Sequence, residues 1–298
     1  MNQILCVAGP TASGKTKLAV ALAELYDGEV VSCDSMQIYR RMDIGTAKPT
    51  KEEMRGIPHH MIDVAEPGEE FSVSRYVEQA DPIVQDILSR GKRCIIAGGT
   101  GLYMDALIKG TEFAPLPQTG KRQQLEALAE EKGMEYLRSR LAAVDPDAAL
   151  RCKDLRRIIR ALEIYEETGE TMTAHDARTK ALPPKYTPCK IGLDFEDRQK
   201  LYERIDLRVE EMFKAGLLDE VRSLQLTGTA AQAIGYREPM AVLRGEMTVE
   251  EAKAAICLAT RHYAKRQLTW FRRDPEIRWF YVKDFSRLLD EVRQHLTA

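Results

Sequence analysis

Apolar residues recur along this chain in two spacings. Short unbroken runs suit strands buried on both faces: Ile4-Leu5-Cys6-Val7-Ala8, Glu29-Val30-Val31-Ser32-Cys33, Cys94-Ile95-Ile96-Ala97, Lys190-Ile191-Gly192-Leu193-Asp194, and Ile277 to Val282. Between them the spacing turns helical. Leu18, Leu22 and Leu25 mark one helix, and Val73, Tyr76, Val77, Ile83, Val84, Ile87 and Leu88 mark another, with a bend expected at Pro82. Asp197 opens a helix with Leu201, Ile205, Val209 and Met212 inward; a further helical stretch starts at Gly216-Leu217. Thr248-Val249-Glu250-Glu251 is a capping box that starts a long helix to about Phe271, and Phe285 to Leu296 closes the chain as a helix. Residues 40–70 are broken by Gly45, Pro49, Gly56, Pro58, Pro67 and Gly68 and read as loop.

After Gly110 the strand-like runs stop. Pro115, Pro117 and Gly120 suggest a linker, and helical patterns then run to about Ala181. Leu125, Leu128, Met134, Leu137 and Leu141 fit a pair of helices; Asp154 caps another, Leu155 to Thr168, ended by Gly169. Pro183-Pro184 and Pro188 close the segment. The expectation is an α/β core from 1–117 and 186–298, a parallel sheet with helices on both faces, interrupted by a helical insert over 118–185.

The first strand and helix are joined by Gly9-Pro10-Thr11-Ala12-Ser13-Gly14-Lys15-Thr16, which fits G-x-x-x-x-G-K-[ST], the phosphate-binding P-loop. Such a loop turns backbone N–H groups inward at the positive end of a helix dipole. Lys15 adds a charge, and the Thr16 hydroxyl suits Mg²⁺. Asp34 follows the second strand and would emerge on the same rim, where it could act as a base, hold Mg²⁺ through water, or merely cap the turn. The third strand ends in Gly98-Gly99-Thr100-Gly101 where many nucleotide hydrolases place an Asp; it offers close backbone approach and one hydroxyl, or an ordinary turn.

Composition narrows the classes. The 298 residues are 44% hydrophobic, with 44 basic against 46 acidic side chains, so any nucleic-acid surface must be local. Candidates are Arg156, Arg157 and Arg160, with no acid before Glu163, or else a solvated helix face, and the stretch from Arg261 to Arg273, where Lys265, Arg266, Arg272 and Arg273 alternate with Tyr263, Trp270 and Phe271, or else a core helix with a charged outer face. Arg198, Arg204 and Arg208 could project toward the phosphate site, and Thr46 and Lys48 could reach it or lie in a solvated loop. Gln232 to Arg237 is a small-residue turn carrying an aromatic ring and a guanidinium. The six cysteines are scattered without a C-x-x-C pair and read as reduced thiols; His59-His60 has no partner at metal-ligand spacing. With no leader and no uncharged stretch of membrane length, the expectation is a cytoplasmic monomer that does not associate with membranes.

The motifs taken together resemble the tRNA dimethylallyltransferases (tRNA isopentenyltransferases), of bacterial type, over nearly the whole chain. They are GPTASGKT at 9–16, DSMQIY at 34–39, MDIGTAKP at 42–49, GIPHHMID at 56–63, AGGTGLY at 97–103, RALE at 160–163, RIDLRVEEM at 204–212, QAIGYRE at 232–238 and TRHYAKRQLTWFRR at 260–273. The resemblance implies transfer of a dimethylallyl group from its diphosphate to the exocyclic amine of the adenine 3′ of a tRNA anticodon, with Mg²⁺. It assigns Asp34 as the base, Thr100 to the reacting centre, and Lys15, Thr16 and Arg208 to the diphosphate. Asp34, Ser35, Met36, Gln37, Thr100, Arg122, Arg156, Arg157, Arg160, Gln232, Gly235, Tyr236, Arg237, Lys265, Arg266, Gln267, Trp270 and Arg272 would contact tRNA, with insert and body clamping the anticodon arm. Where the family commonly has Gln-Arg, this chain has Arg156-Arg157. The rival readings are a kinase using ATP on a small molecule or nucleotide, and a GTP-driven RNA-binding switch, the latter disfavoured by the lack of an N-K-x-D motif.

Overall fold

The computed structural model describes residues 3–111, 113 and 119–297; the expected linker prolines Pro115 and Pro117 lie outside them. The strands are β1 (Gln3–Ala8), β2 (Gly28–Cys33), β3 (His59–His60), β4 (Arg93–Gly98), β5 (Thr187–Asp194) and β6 (Arg278–Tyr281). They form one sheet in the order β3-β2-β4-β1-β5-β6, every pair parallel. Parallel neighbours need crossover connections, and these cover both faces of the sheet.

The helices of the core's first half are α1 (Lys15–Leu25), α2 (Lys51–Met54), α3 (Val73–Ser89) and α4 (Gly101–Lys109). The insert carries α5 (Lys121–Lys132), α6 (Met134–Val144), α7 (Pro146–Arg151), α8 (Leu155–Thr168) and α9 (Met172–Ala181). The core resumes with α10 (Arg198–Lys214), α11 (Leu217–Ser223), α12 (Gly228–Ala231), α13 (Arg237–Leu243), α14 (Val249–Phe271) and α15 (Phe285–Thr297). The chain divides into two compact units, 1–110 with 185–298, and 111–184.

The pleat of β1 sends alternate residues to opposite layers. Ile4, Cys6 and Ala8 pack with Tyr76, Ala80, Val84 and Ile87 of α3 and Met104 and Leu107 of α4. Leu5 and Val7 pack with Leu18 and Leu22 of α1 and Leu288 and Val292 of α15. Cys6, Cys33 and Cys94 are buried thiols in these layers. α3 continues through Pro82, whose ring is exposed.

Residues 36–65 contain little regular structure, yet Ile38, Tyr39 and Met42 are buried against Val209, Leu217, Val221, Tyr236 and Ile256 in a third apolar cluster. The open choice for Lys48 closes here: it neither reaches a phosphate nor lies in solvent. Its ammonium is buried, donates to Tyr39 O at 2.9 Å, and pairs with Asp63 at 2.6 Å and with Asp43. Thr46 donates to Met42 O at 2.6 Å. Glu220 of α11 holds the same loop: Oε2 accepts from the amides of Asp43 and Ile44, and Oε1 from Gly45 N–H and the Tyr236 hydroxyl.

The insert has its own core of Leu125, Leu137, Leu141, Ile158, Ile159 and Leu162. Asp154 caps α8 as expected. Buried Asp145 caps α7 and accepts from the Thr173 amide and hydroxyl at the start of α9, so one carboxylate joins two helices.

Candidate active site at the carboxyl edge of the sheet

Because β4 lies between β1 and β2, the loops leaving all three strands emerge side by side at one edge. The chain leaves β1 through Gly9 at φ 146°, and a Cβ there would lie 2.7 Å from the Leu193 carbonyl, so the turn requires glycine. Gly14, at φ 89°, precedes α1 and provides no side-chain cap, which leaves the first-turn amides open to a ligand. Lys15 Nζ donates to Pro10 O at 2.7 Å. Ser13 is 1% exposed, and its hydroxyl has no partner among the described residues. Two arginines of α10, spaced four apart, reach the same loop: Arg204 donates to Ala12 O at 2.8 Å and Arg208 to Thr11 Oγ1 at 3.2 Å.

Backbone contact explains the missing acid at the end of β4. A Cβ on Gly98 would stand 2.0 Å from the Cys33 carbonyl, so no side chain fits there. Thr100 N–H donates to Cys33 O, and Thr100 Oγ1 accepts from Ser35 N–H at 3.0 Å while donating to Ser35 Oγ at 3.3 Å. Asp34 uses Oδ1 to cap the turn, accepting from the amides of Met36 at 2.9 Å and Gln37 at 3.3 Å. Its Oδ2 meets no donor among the described residues, so the carboxylate caps the turn with one oxygen and leaves the other uncommitted. The Gln37 amide is engaged by Ser32 and Ala47, and Met36 packs on the third apolar cluster.

The electrostatics favour an anion at this edge. Burial pushes the Lys15 ammonium down to about 8, with Asp34 opposing the shift and Arg208 adding to it. Burial likewise lowers Arg208, again opposed by Asp34. Neither cation forms an ion pair with a carboxylate among the described residues. Tyr263 of α14 also faces this edge: burial and the charge of Asp34 raise its phenol, and a contact with Thr100 opposes them. The resemblance assigns Tyr263 no role, yet it lies one helical turn before Gln267 and so shares its side of α14.

Two expected tRNA-facing side chains are buried instead. Gln267 is 5% exposed; its Oε1 accepts from Thr11 N–H at 2.8 Å and its Nε2 donates to Gly99 O at 3.0 Å, so it is a bracket inside the protein. Tyr236 is fully buried, its hydroxyl on Glu220 and its ring where a Cβ on Gly45 would sit. Gly235 is buried beside it, its amide on Glu238. Their conformation fills the core under the 43–45 loop, which leaves the exposed Gln232 and Arg237 as the outward members of that turn.

On α14, Lys265, Arg266 and Trp270 are exposed, with the Arg266 guanidinium 5.6 Å above the Tyr263 ring and Trp270 Nε1 donating to Asp105. Arg272 pairs with buried Asp194 at 2.6 Å. In the insert, Arg122 and Arg160 both pair with Glu163 and Arg157 pairs with Asp154, while Arg156 is exposed.

For a metal the donors are all oxygen. No group of three or more His, Cys, Asp or Glu capable of holding an ion occurs among the described residues. A hydroxyl at Thr16 beside phosphate oxygens and water is the ligand type Mg²⁺ takes. No helix among the described residues is long and apolar enough to cross a membrane.

A family model described as IPP transferase matches residues 37–274, and one described as isopentenyl transferase matches residues 2–68. The tRNA dimethylallyltransferase of Caldanaerobacter subterraneus subsp. tengcongensis is 48% identical, the alignment covering 99% of this chain and 96% of that protein. That of Acetivibrio thermocellus is 45% identical, covering 100% and 98%. Among solved structures, the full-length tRNA isopentenylpyrophosphate transferase from Bacillus halodurans superposes with TM-score 0.74 at 40% identity, covering 100% of this chain and 96% of that one. A eukaryotic dimethylallyltransferase acting on tRNA gives TM-score 0.82 at 28% identity, covering 99% and 78%. These matches do not favour the kinase alternative, and with a P-loop, an acid after β2 and a glycine-ended β4 at one edge, the chain belongs to the tRNA dimethylallyltransferase family.

Proposed function

We propose that this protein transfers the dimethylallyl group of dimethylallyl diphosphate to the exocyclic amine of the adenine 3′ of a tRNA anticodon, releasing diphosphate. The observation that carries this reading is the placing of a carboxylate with one uncommitted oxygen, Asp34, near two half-buried cations, Lys15 and Arg208. An aromatic amine is a weak nucleophile, and an allylic carbon becomes electrophilic as its C–O bond to diphosphate breaks. The amine nitrogen forms the new bond to that carbon, the C–O electron pair leaves with diphosphate, and the amine proton passes to Asp34 Oδ2. The open amides of α1, Lys15 and Arg208 stabilise the charge that grows on the leaving oxygens.

Mg²⁺ fits the oxygen donors at Thr16 and would supply further charge neutralisation on the diphosphate when bound. Thr100, fixed on Ser35, lines the reacting edge. The target base must leave its stack to reach this edge. Exposed Lys265, Arg266 and Trp270 of α14 suit phosphates and splayed bases, and exposed Arg156 suits a phosphate contact from the insert. Mass spectrometry of tRNA after incubation with the protein, Mg²⁺ and dimethylallyl diphosphate tests the reading. A mass gain of one dimethylallyl group on the adenosine 3′ of the anticodon supports it; unmodified tRNA, with ATP consumed on a small metabolite, overturns it.

A further inference from the structure

We infer that Gln267 is a positioning residue that sets the phosphate loop and the Thr100 turn in register through its single carboxamide. The inference rests on the transfer reading above, since it concerns the alignment of leaving group and acceptor. Thr11 belongs to the loop after β1 and Gly99 to the turn after β4, and no other side chain among the described residues is seen to bond both segments. Gln267 Oε1 receives the Thr11 amide at 2.8 Å, and Nε2 gives its hydrogen to the Gly99 carbonyl at 3.0 Å, next to Thr100. The site is built for this group: a Cβ on Gly99 would stand 1.9 Å from Nε2, so glycine makes the space the carboxamide fills. Thr11 is held a second time, through its hydroxyl, by Arg208. Gln267 is 5% exposed and touches solvent too little to read RNA directly, although Lys265, Arg266 and Trp270 on the same helix are exposed. Both of its hydrogen bonds lie beside the chemistry, so their loss displaces the diphosphate cradle relative to Thr100.

Gln267→Met keeps the volume and removes both bonds. We expect kcat to fall roughly 10- to 100-fold, with KM for tRNA within about threefold of wild type, because small misalignments of reacting groups cost rate rather than remote binding. Wild-type kcat and wild-type KM for dimethylallyl diphosphate in that variant overturn the inference. Gln267→Glu separates positioning from mere filling. Its neutral carboxyl can accept from Thr11 and donate to Gly99, whereas its ionised form cannot donate. Its rate relative to wild type should therefore climb, roughly fivefold or more, as pH is lowered through the raised pKa of a buried carboxyl. A flat ratio overturns the inference. Gly99→Ala should reproduce the loss by displacing the carboxamide, and the double variant with Gln267→Met should be no worse than either alone; multiplied losses overturn it. Should wild type itself fail to prenylate tRNA, the transfer reading falls separately, and calorimetric titration with inorganic diphosphate decides this one: at least about fivefold weaker binding by Gln267→Met supports the bracket, and equal binding refutes it.

Discussion

Strand β2 has an acid at each end, and the two are treated in opposite ways. Glu29, at the amino end, is 5% exposed and fully engaged: Arg90 Nη2 reaches it at 2.9 Å with Nη1 on the other oxygen, and His60 Nε2 lies 2.8 Å away. Hydrogen bonds from Arg90, with His60 adding, hold its carboxyl down to about 2 against the cost of burial. Asp34, just beyond the carboxyl end, spends one oxygen on its own turn and keeps the other. The cations follow the same division. Arg90 is paired, whereas Lys15 and Arg208 are half-buried, Arg208 lies close enough to lower Lys15, and neither has a carboxylate bonded to it among the described residues. A buried acid with its partners serves the fold; half-buried like charges beside an uncommitted acid are what the proposed transfer would use for an anion and a proton.

The sharpest way to break this contrast is Asp34→Asn, which keeps the Oδ1 acceptor for the turn and removes the base. Transfer should fall roughly 10²- to 10⁴-fold in single-turnover assays, with tRNA binding retained in gel-shift titration; equal turnover would make the two acids equivalent. Lys15→Met should cost roughly 10²- to 10³-fold in kcat, since it removes one preorganised charge from the leaving group. At the opposite end, Glu29→Gln should leave the rate of the folded enzyme unchanged and lower stability by about 1–2 kcal/mol in urea unfolding at pH 7, a figure discounted because Arg90 is partly solvated. That difference has a definite pH signature. A depressed carboxyl stabilises the fold above its ordinary value near 4.5 and loses that contribution as pH falls toward 2, so wild type and variant should converge in acid.

The smallest effect concerns Lys15. Its ammonium titrates near 8 in the free protein, and a bound anion favours the charged form. The advantage of wild type over Lys15→Met in binding inorganic diphosphate should therefore shrink roughly fivefold between pH 8 and 9, measured by calorimetry. An advantage constant over that range would mean that Lys15 does not bind the ligand as a charge.

Much of this was legible along the chain because its signals are local. The run Ile4 to Ala8, the glycines of the P-loop, the box at Thr248 and Glu251 and the cap at Asp154 each act on neighbours within about one turn of backbone, so spacing alone specified the strand, the loop and the helix starts. The long-range pairings were not legible. The rule that ligands bind beyond strand ends put Asp34 on the rim of the P-loop, but that β4 slots between β1 and β2 follows from packing between segments far apart in the chain. Lys48 read as a phosphate contact or part of a solvated loop, and the resemblance turned Tyr236 and Gln267 toward tRNA; the fold buries each side chain because a specific distant carbonyl, carboxylate or amide meets it. Sequence determined which segments could carry phosphate chemistry and a base. Only the tertiary structure decided which polar side chains stay exposed at that edge and which are buried to hold it together, because a buried hydrogen bond is set by geometry between segments and leaves no periodic trace in either one.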